Sequence, residues 1–217
     1  MAENAHRTTT LCLRSRCLLQ VRPDKLRHQL FLATAMRNIN QLLTQYAAYH
    51  RDERNIATHF VGVPLIVFSV VLALAQINLG GIHAGWVAIL AASAYYIWLD
   101  RTLGVSMLIL LGVSGALASL ITMQTGVGAA LILALLLFVV GWIIQFVGHK
   151  YEGMKPAFVD DMMSLAIGPL FVLTEAYFLL GLKRELRRHI EDRVGPTMRE
   201  RNGKMLQPSI ITTTNHI

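Results

Sequence analysis

From Phe60 to Val147 the only charged side chains are the adjacent Asp100 and Arg101. A water-soluble core of that length must show a polar face along its helices or strands, and this stretch shows none, so lipid is its simplest solvent. Polar breaks divide it into four apolar runs, 60–77, 82–99, 102–123 and 126–147. Each is close to the roughly 17–25 residues that cross a hydrocarbon core of about 30 Å. Gly80-Gly81 and Gly126-Val127-Gly128 supply tight connections. Trp86, Tyr95, Tyr96 and Trp98 stand near the ends of the second run, where interfacial anchors belong. The pattern predicts a pair of helical hairpins.

Upstream, Leu42, Leu43, Tyr46 and Tyr49 recur at helical spacing and predict a short amphipathic helix over 42–49. The polar run 51–55 breaks it, with Asp52 or Asn55 placed to cap the next helix. A fifth apolar stretch, 162–182, is preceded by Asp160-Asp161 as a cap and contains Gly168, Pro169 and Glu175, which are costly at bilayer centre. Charge decides its path. With four crossings, the N-terminal region, Asp100-Arg101 and everything from Gly148 onward share one face, and the basic run 183–188 belongs on the cytoplasmic side. The fifth stretch is then re-entrant or interfacial. The fold class predicted is an all-α membrane protein, a four-transmembrane-helix bundle plus one such segment, in a bacterial inner membrane or the endoplasmic reticulum.

Composition agrees. The chain is 54% hydrophobic and 15% charged, with mean hydropathy +0.48, against about 25% charged in soluble domains. Its net charge of +7 could suggest nucleic acid, but the basic residues flank the apolar block and no nucleic-acid motif accompanies them. No nucleic-acid partner is expected, and the bilayer is. Cys12 and Cys17 have no metal-type partner pair and read as free thiols. Residues 1–35 read as a basic, disordered tail, or as an over-extended start ahead of Met36. Residues 36–182 are expected to form the membrane domain, the catalytic one if the polar residues at its helix ends make a site, and 183–217 a basic cytoplasmic tail. No feature of the sequence specifies an oligomeric state.

Topology also sorts the eight histidines. His50, His59 and His149 all fall at the cytoplasmic ends of helices. His50 and His59 are nine residues apart and sit on opposite faces of any unbroken helix, so they converge only if the chain turns over 52–55. Asn55 and His59 are i,i+4, while Gln145, His149 and Glu152 follow an i,i+4,i+7 stripe. Imidazole plus carboxylate with open positions suits a non-haem Fe(II) oxygenase, and an all-nitrogen set suits zinc as well. Any one of these histidines reads more simply as interfacial and bonded to a carbonyl or a lipid phosphate. Three on one face, with Asn55, Gln145 and Glu152 beside them, read as a site. Glu175 reads either as a ligand or general base, or as an acid paired with Lys183 or snorkelling to the interface.

Two stretches carry a resemblance. The first, 49–64, sets His50, Asn55, His59, Gly62 and Pro64 at fixed spacing, and the second, 145–158, holds Gln145, His149, Glu152 and Pro156, followed by Gly168-Pro169-Leu170-Phe171 and Glu175. Together they resemble the membrane family that includes the fungal 2-hydroxy fatty acid dioxygenase. The resemblance covers 36–182 and implies an Fe(2+)-dependent α-oxidation of a long-chain 2-hydroxy fatty acid to the acid one carbon shorter, with O2 as co-substrate. It implies that His50, His59 and His149 are the metal ligands, and it carries over Asn55, Gln145 and Glu152 as motif members. A 2-hydroxy acid can itself supply the four electrons that reduce O2, so no 2-oxoglutarate is needed, and Glu152 or Glu175 could take the hydroxyl proton. Another metal-dependent lipid hydrolase or hydroxylase, and a non-catalytic lipid-binding scaffold, are the rival classes. Di-iron membrane enzymes use about eight histidines in paired spacings, more than the three available here. With no charge inside the runs to line a midplane pathway, a transporter is disfavoured.

Overall fold

The computed structural model describes residues 38–198. The expectations for 1–35 and for the tail beyond 198 concern residues outside these. The described chain is mostly helical. Its helices are α1 (Ile39–Ala47), α2 (Glu53–Leu74), α3 (Ala84–Leu99), α4 (Arg101–Glu152), α5 (Met163–Leu179) and α6 (Arg184–Val194). Strands β1 (Asn78–Leu79) and β2 (Ile82–His83) form an antiparallel hairpin between α2 and α3. Gly80 and Gly81 take φ of 68° and 103° in its two-residue turn, as a right-twisted hairpin requires. Asp52, rather than Asn55, caps α2, accepting the Arg54 N–H at 2.8 Å.

Two helices, α2 and α4, are each long and apolar enough to cross a membrane, and α5 with α6 makes a third candidate if that bent pair is one span. The pattern of four separate runs is therefore met in part. The run over 82–99 yields a helix of 16 residues, about 24 Å long at 1.5 Å per residue. The runs over 102–123 and 126–147 join in one helical element broken at Gly126, whose φ of 75° and ψ of 168° are open to glycine almost alone. The halves fold back on each other. Gln76, just beyond α2, donates to Thr122 Oγ1 at 2.7 Å, whereas a Cβ on Gly148 would overlap Thr58 near the start of α2. The first half thus ends beside the C-terminal end of α2, and the second descends to its N-terminal end.

Small residues let these helices touch. Ala118, Ala130 and Ala134 are buried, and a Cβ on Gly141 would lie 2.7 Å from Ile66. Large apolar side chains point outward instead, and Leu90, Ile109, Ile132 and Leu135 are each about 60% exposed. Inward small and outward large is the pattern of helices packed in lipid.

The fifth apolar stretch lies across one end of the bundle. Met162 is the N-cap residue of α5, and Asp161 just ahead of it accepts the Met163 N–H at 3.0 Å. Near its start, Ala166 O accepts from Tyr96 at 2.7 Å. Near its end, the Tyr177 hydroxyl meets Ser106 at 2.7 Å. Tyr96 and Ser106 both stand within two turns of Asp100, so α5 does not run the length of the bundle. The segment after it, read from sequence as tail, forms α6, bent 112° from α5. Leu186 and Ile190, one helical turn apart, bury there against the core that includes α1. Lys183 pairs with Asp100 at 2.6 Å, not with Glu175.

Candidate metal centre

The loop between α1 and α2 carries His50. Its ring Nδ1–H donates to the Tyr46 carbonyl at 2.8 Å, and the ring lies flat on the Tyr46 phenol, 4.2 Å away and 1° from parallel. A carbonyl only accepts, so the proton sits on Nδ1 and Nε2 presents a lone pair. The same logic fixes His59 in α2, whose Nδ1–H donates to the Asn55 carbonyl at 2.8 Å. The two Nε2 atoms then face each other at 3.1 Å. Opposed lone pairs repel, and only a proton or a metal cation between them makes the contact favourable. Burial, then the neighbouring His59, push the His50 pKa well below 6.5, which weighs against the proton.

His149, from the second half of α4, meets both rings edge-on, with centroids 5.1 Å from His50 and 5.3 Å from His59. One ligand nitrogen from each of the three lies within 4.8 Å of the others, and all three side chains are buried. His149 Nδ1 is buried without a hydrogen-bond partner. Three neutral imidazoles, two oriented by backbone carbonyls, fit a divalent transition metal.

Glu152 holds this arrangement together. Its Oε1 accepts the Arg51 N–H at 2.8 Å, and its Oε2 accepts the Asp52 N–H at 3.0 Å and the Asn55 side-chain amide at 2.9 Å. One carboxylate, 3% exposed, so ties the helix of His149 to the loop of His50 and the start of the helix of His59. Gln145 lies one turn before His149, also buried. Glu175 is apart from this group, lining a separate space with Arg51, Arg187 and Glu191.

A cleft opens from the histidines between α2, the second half of α4 and α5. His59, His149 and Gln145 occupy its polar end, and Val63, Val67 and Trp142 belong to its apolar remainder. Phe158, on the turn after α4, packs edge-on against Trp142 at 5.2 Å. Sequence reasoning missed Tyr46, Phe171 and Arg51. Phe171 supports Tyr46 and His50 at 4.8 and 5.4 Å. Arg51 donates through Nε to the Ala47 and His50 carbonyls and through Nη1 to Gly195 O. The i−4 spacing of Tyr46 from His50 was the signal available for Tyr46, while Arg51 and Phe171 fall within the stretches that carry the family resemblance without a role attached to either.

The family model described as "2-hydroxy-palmitic acid dioxygenase Mpo1-like" matches residues 36–180. The 2-hydroxy-palmitic acid dioxygenase MPO1 of Saccharomyces cerevisiae is 32% identical over 149 residues, which cover 67% of this chain and 83% of the yeast protein. No solved structure matches the chain.

Proposed function

The chain belongs to the Mpo1-like family, and on that premise we propose that it is an Fe(II)-dependent dioxygenase that α-oxidises long-chain 2-hydroxy fatty acids to the acid one carbon shorter. The observation that carries the reading is the pair of Nε2 atoms opposed at 3.1 Å with His149 closing the set. His50, His59 and His149 would hold the metal, and iron there would supply the redox path between substrate and O2. The protein's own part is orientation and exclusion of water. The Tyr46 and Asn55 carbonyls fix the tautomers of His50 and His59. Glu152 acts as a positioning residue in this scheme, because both its oxygens are committed to three donors. The apolar part of the cleft takes the acyl tail and leaves the carboxylate end at the histidines.

In the bilayer, α2, α3 and the two halves of α4 make four crossings, with α5 at the interface. The short α3 is accommodated by local thinning. Lys183, Arg184, Arg187 and Arg188 follow α5, which covers the end of the bundle where the histidines lie, and this run of positive charge supports a site on the cytoplasmic side. The all-nitrogen ligand set favours one other reading, a zinc-dependent lipid hydrolase.

Metal analysis of the purified protein tests the proposal. Iron near one equivalent is expected, with His50→Ala, His59→Ala and His149→Ala each losing most of it. Membranes given 2-hydroxy-palmitic acid should consume O2 and release the acid one carbon shorter. Zinc with no O2 uptake would redirect the reading to hydrolysis, and unchanged iron in all three variants would remove the site.

A further inference from the structure

Gln145 has a buried amide with nothing to bond. It is 4% exposed, yet neither its Oε1 nor its Nε2 has a partner among the described residues. An unsatisfied buried donor and acceptor together are costly, and such groups are kept where a ligand completes them. The other buried amide at the site, Asn55, spends its Nδ2 on Glu152; its Oδ1 also lacks a partner, but it lies where a Cβ on Gly148 would come within 2.5 Å. Gln145 alone of the two keeps both groups open.

Its position is set by packing. Gln145 and His149 are i and i+4 on one helix, so they share a face and line the same cleft. Across from Gln145 stands Gly62, where a Cβ would lie 2.5 Å from Gln145 Nε2. The bare glycine makes room for the amide, and the amide stands between the histidines and the apolar remainder of the cleft. A ligand head there meets a donor and an acceptor on one planar group, whichever way the amide is turned.

The geometry points to Gln145 as the specificity-determining residue that selects a 2-hydroxy acid over an unsubstituted or 2-oxo acid. The assignment rests on the substrate class proposed above. A 2-hydroxy acid offers what the amide lacks: a carboxylate oxygen to accept from the NH2 and a hydroxyl to donate to the carbonyl oxygen. An unsubstituted acid leaves that oxygen unpaired. A 2-oxo acid could still chelate a metal through carboxylate and oxo groups, but it has no O–H to donate. Comparing the two acids therefore separates selection by the amide from selection by the metal.

The experiment uses the full chain, loaded with metal, in detergent and without O2, so binding is read apart from turnover. Affinities are measured for 2-hydroxy-palmitic, 2-oxo-palmitic and palmitic acids. Wild type should prefer the hydroxy acid over the oxo acid by about 10–100-fold, the cost of one unmade buried hydrogen bond. Gln145→Leu should reduce that preference to within a few-fold with metal content unchanged. Gln145→Glu keeps the volume and the hydroxyl acceptor, so it should weaken all three acids by repelling their carboxylates while keeping the order. A Gln145→Leu protein that keeps the wild-type preference overturns the assignment, as does a wild type with no preference. Loss of metal in both variants would make Gln145 part of the frame and overturn it too. A wild type that proves unable to bind metal, yet shows the Gln145-dependent preference, would sink the dioxygenase reading and leave this assignment standing.

Discussion

Glu152 shows how much one side chain can hold when its partners are distant in sequence. Its i+3 relation to His149 was legible, and with it the suggestion of a ligand or base. Its actual bonds run to Arg51, Asp52 and Asn55, about a hundred residues away, and no spacing rule reaches so far. Glu152→Gln would turn an NH2 toward N–H groups that need an acceptor. Metal affinity is expected to fall about 10–100-fold, as for other residues that orient metal ligands, and a metal titration at constant pH reads it. The three histidines were legible because each falls at a helix end on one predicted face. Glu175 was not, since the alternatives of ligand, base and ion pair with Lys183 all depend on where α5 and α6 turn. In the structure it lies near Arg51 and Arg187, and the partner of Lys183 is Asp100.

Elements were easiest to read where lipid sets the pattern and hardest where a single residue sets the geometry. The apolar runs predicted the helices around 60–147 and the tight connection at 126–128, where Gly126 with its φ of 75° alone breaks the helix between the two halves of α4. Gly126→Ala should cost about 1–3 kcal/mol, the usual penalty for a side chain in that backbone region, visible as a lower unfolding temperature in detergent with metal binding retained. The turn between α3 and α4 makes a second test. Asp100 accepts the Leu103 N–H at 2.9 Å and pairs with Lys183 at 2.6 Å. Burial by itself would raise its pKa, but these bonds outweigh burial and leave it below the ordinary 3.8. A depressed carboxylate stabilises the fold above its unfolded pKa, and the contribution is lost as pH falls through the folded value. Asp100→Asn should therefore melt below wild type at neutral pH, and the gap should close as the pH is taken below 3.8. The helix α6 escaped notice because its charge hid the Leu186 and Ile190 stripe.

At the scale of the molecule, the site is a place where distant parts of the chain meet. Beyond α6 the backbone returns to the loop of His50, where Met198 N–H donates to Arg51 O at 2.8 Å and Glu53 N–H donates to Met198 O at 3.3 Å. Arg51 also donates to Gly195 O at 2.9 Å. Ending the chain after Val194 should lower metal affinity by about tenfold, within the range for lost orienting contacts, while the helical content measured by circular dichroism stays near that of the full chain. An unchanged affinity would show that the Glu152 carboxylate suffices to hold the loop. That the three histidines gather at one end of the bundle was legible from the apolar runs and the charge between them. How residues 195–198 fasten the loop of His50 was not, because backbone pairing of this kind leaves no side-chain pattern.

The distribution of the ligands also sets an order of events during synthesis. His50 and His59 emerge early, but His149 lies near the end of α4, so a growing chain offers only two of the three candidate ligands until the fourth apolar segment has been made and folded back. Two imidazoles without Glu152 have neither the third donor nor the carboxylate that shapes the loop. On the proposed reading metal loading has to wait for that step, and a ribosome stalled before residue 149 would display a chain still lacking the third candidate ligand.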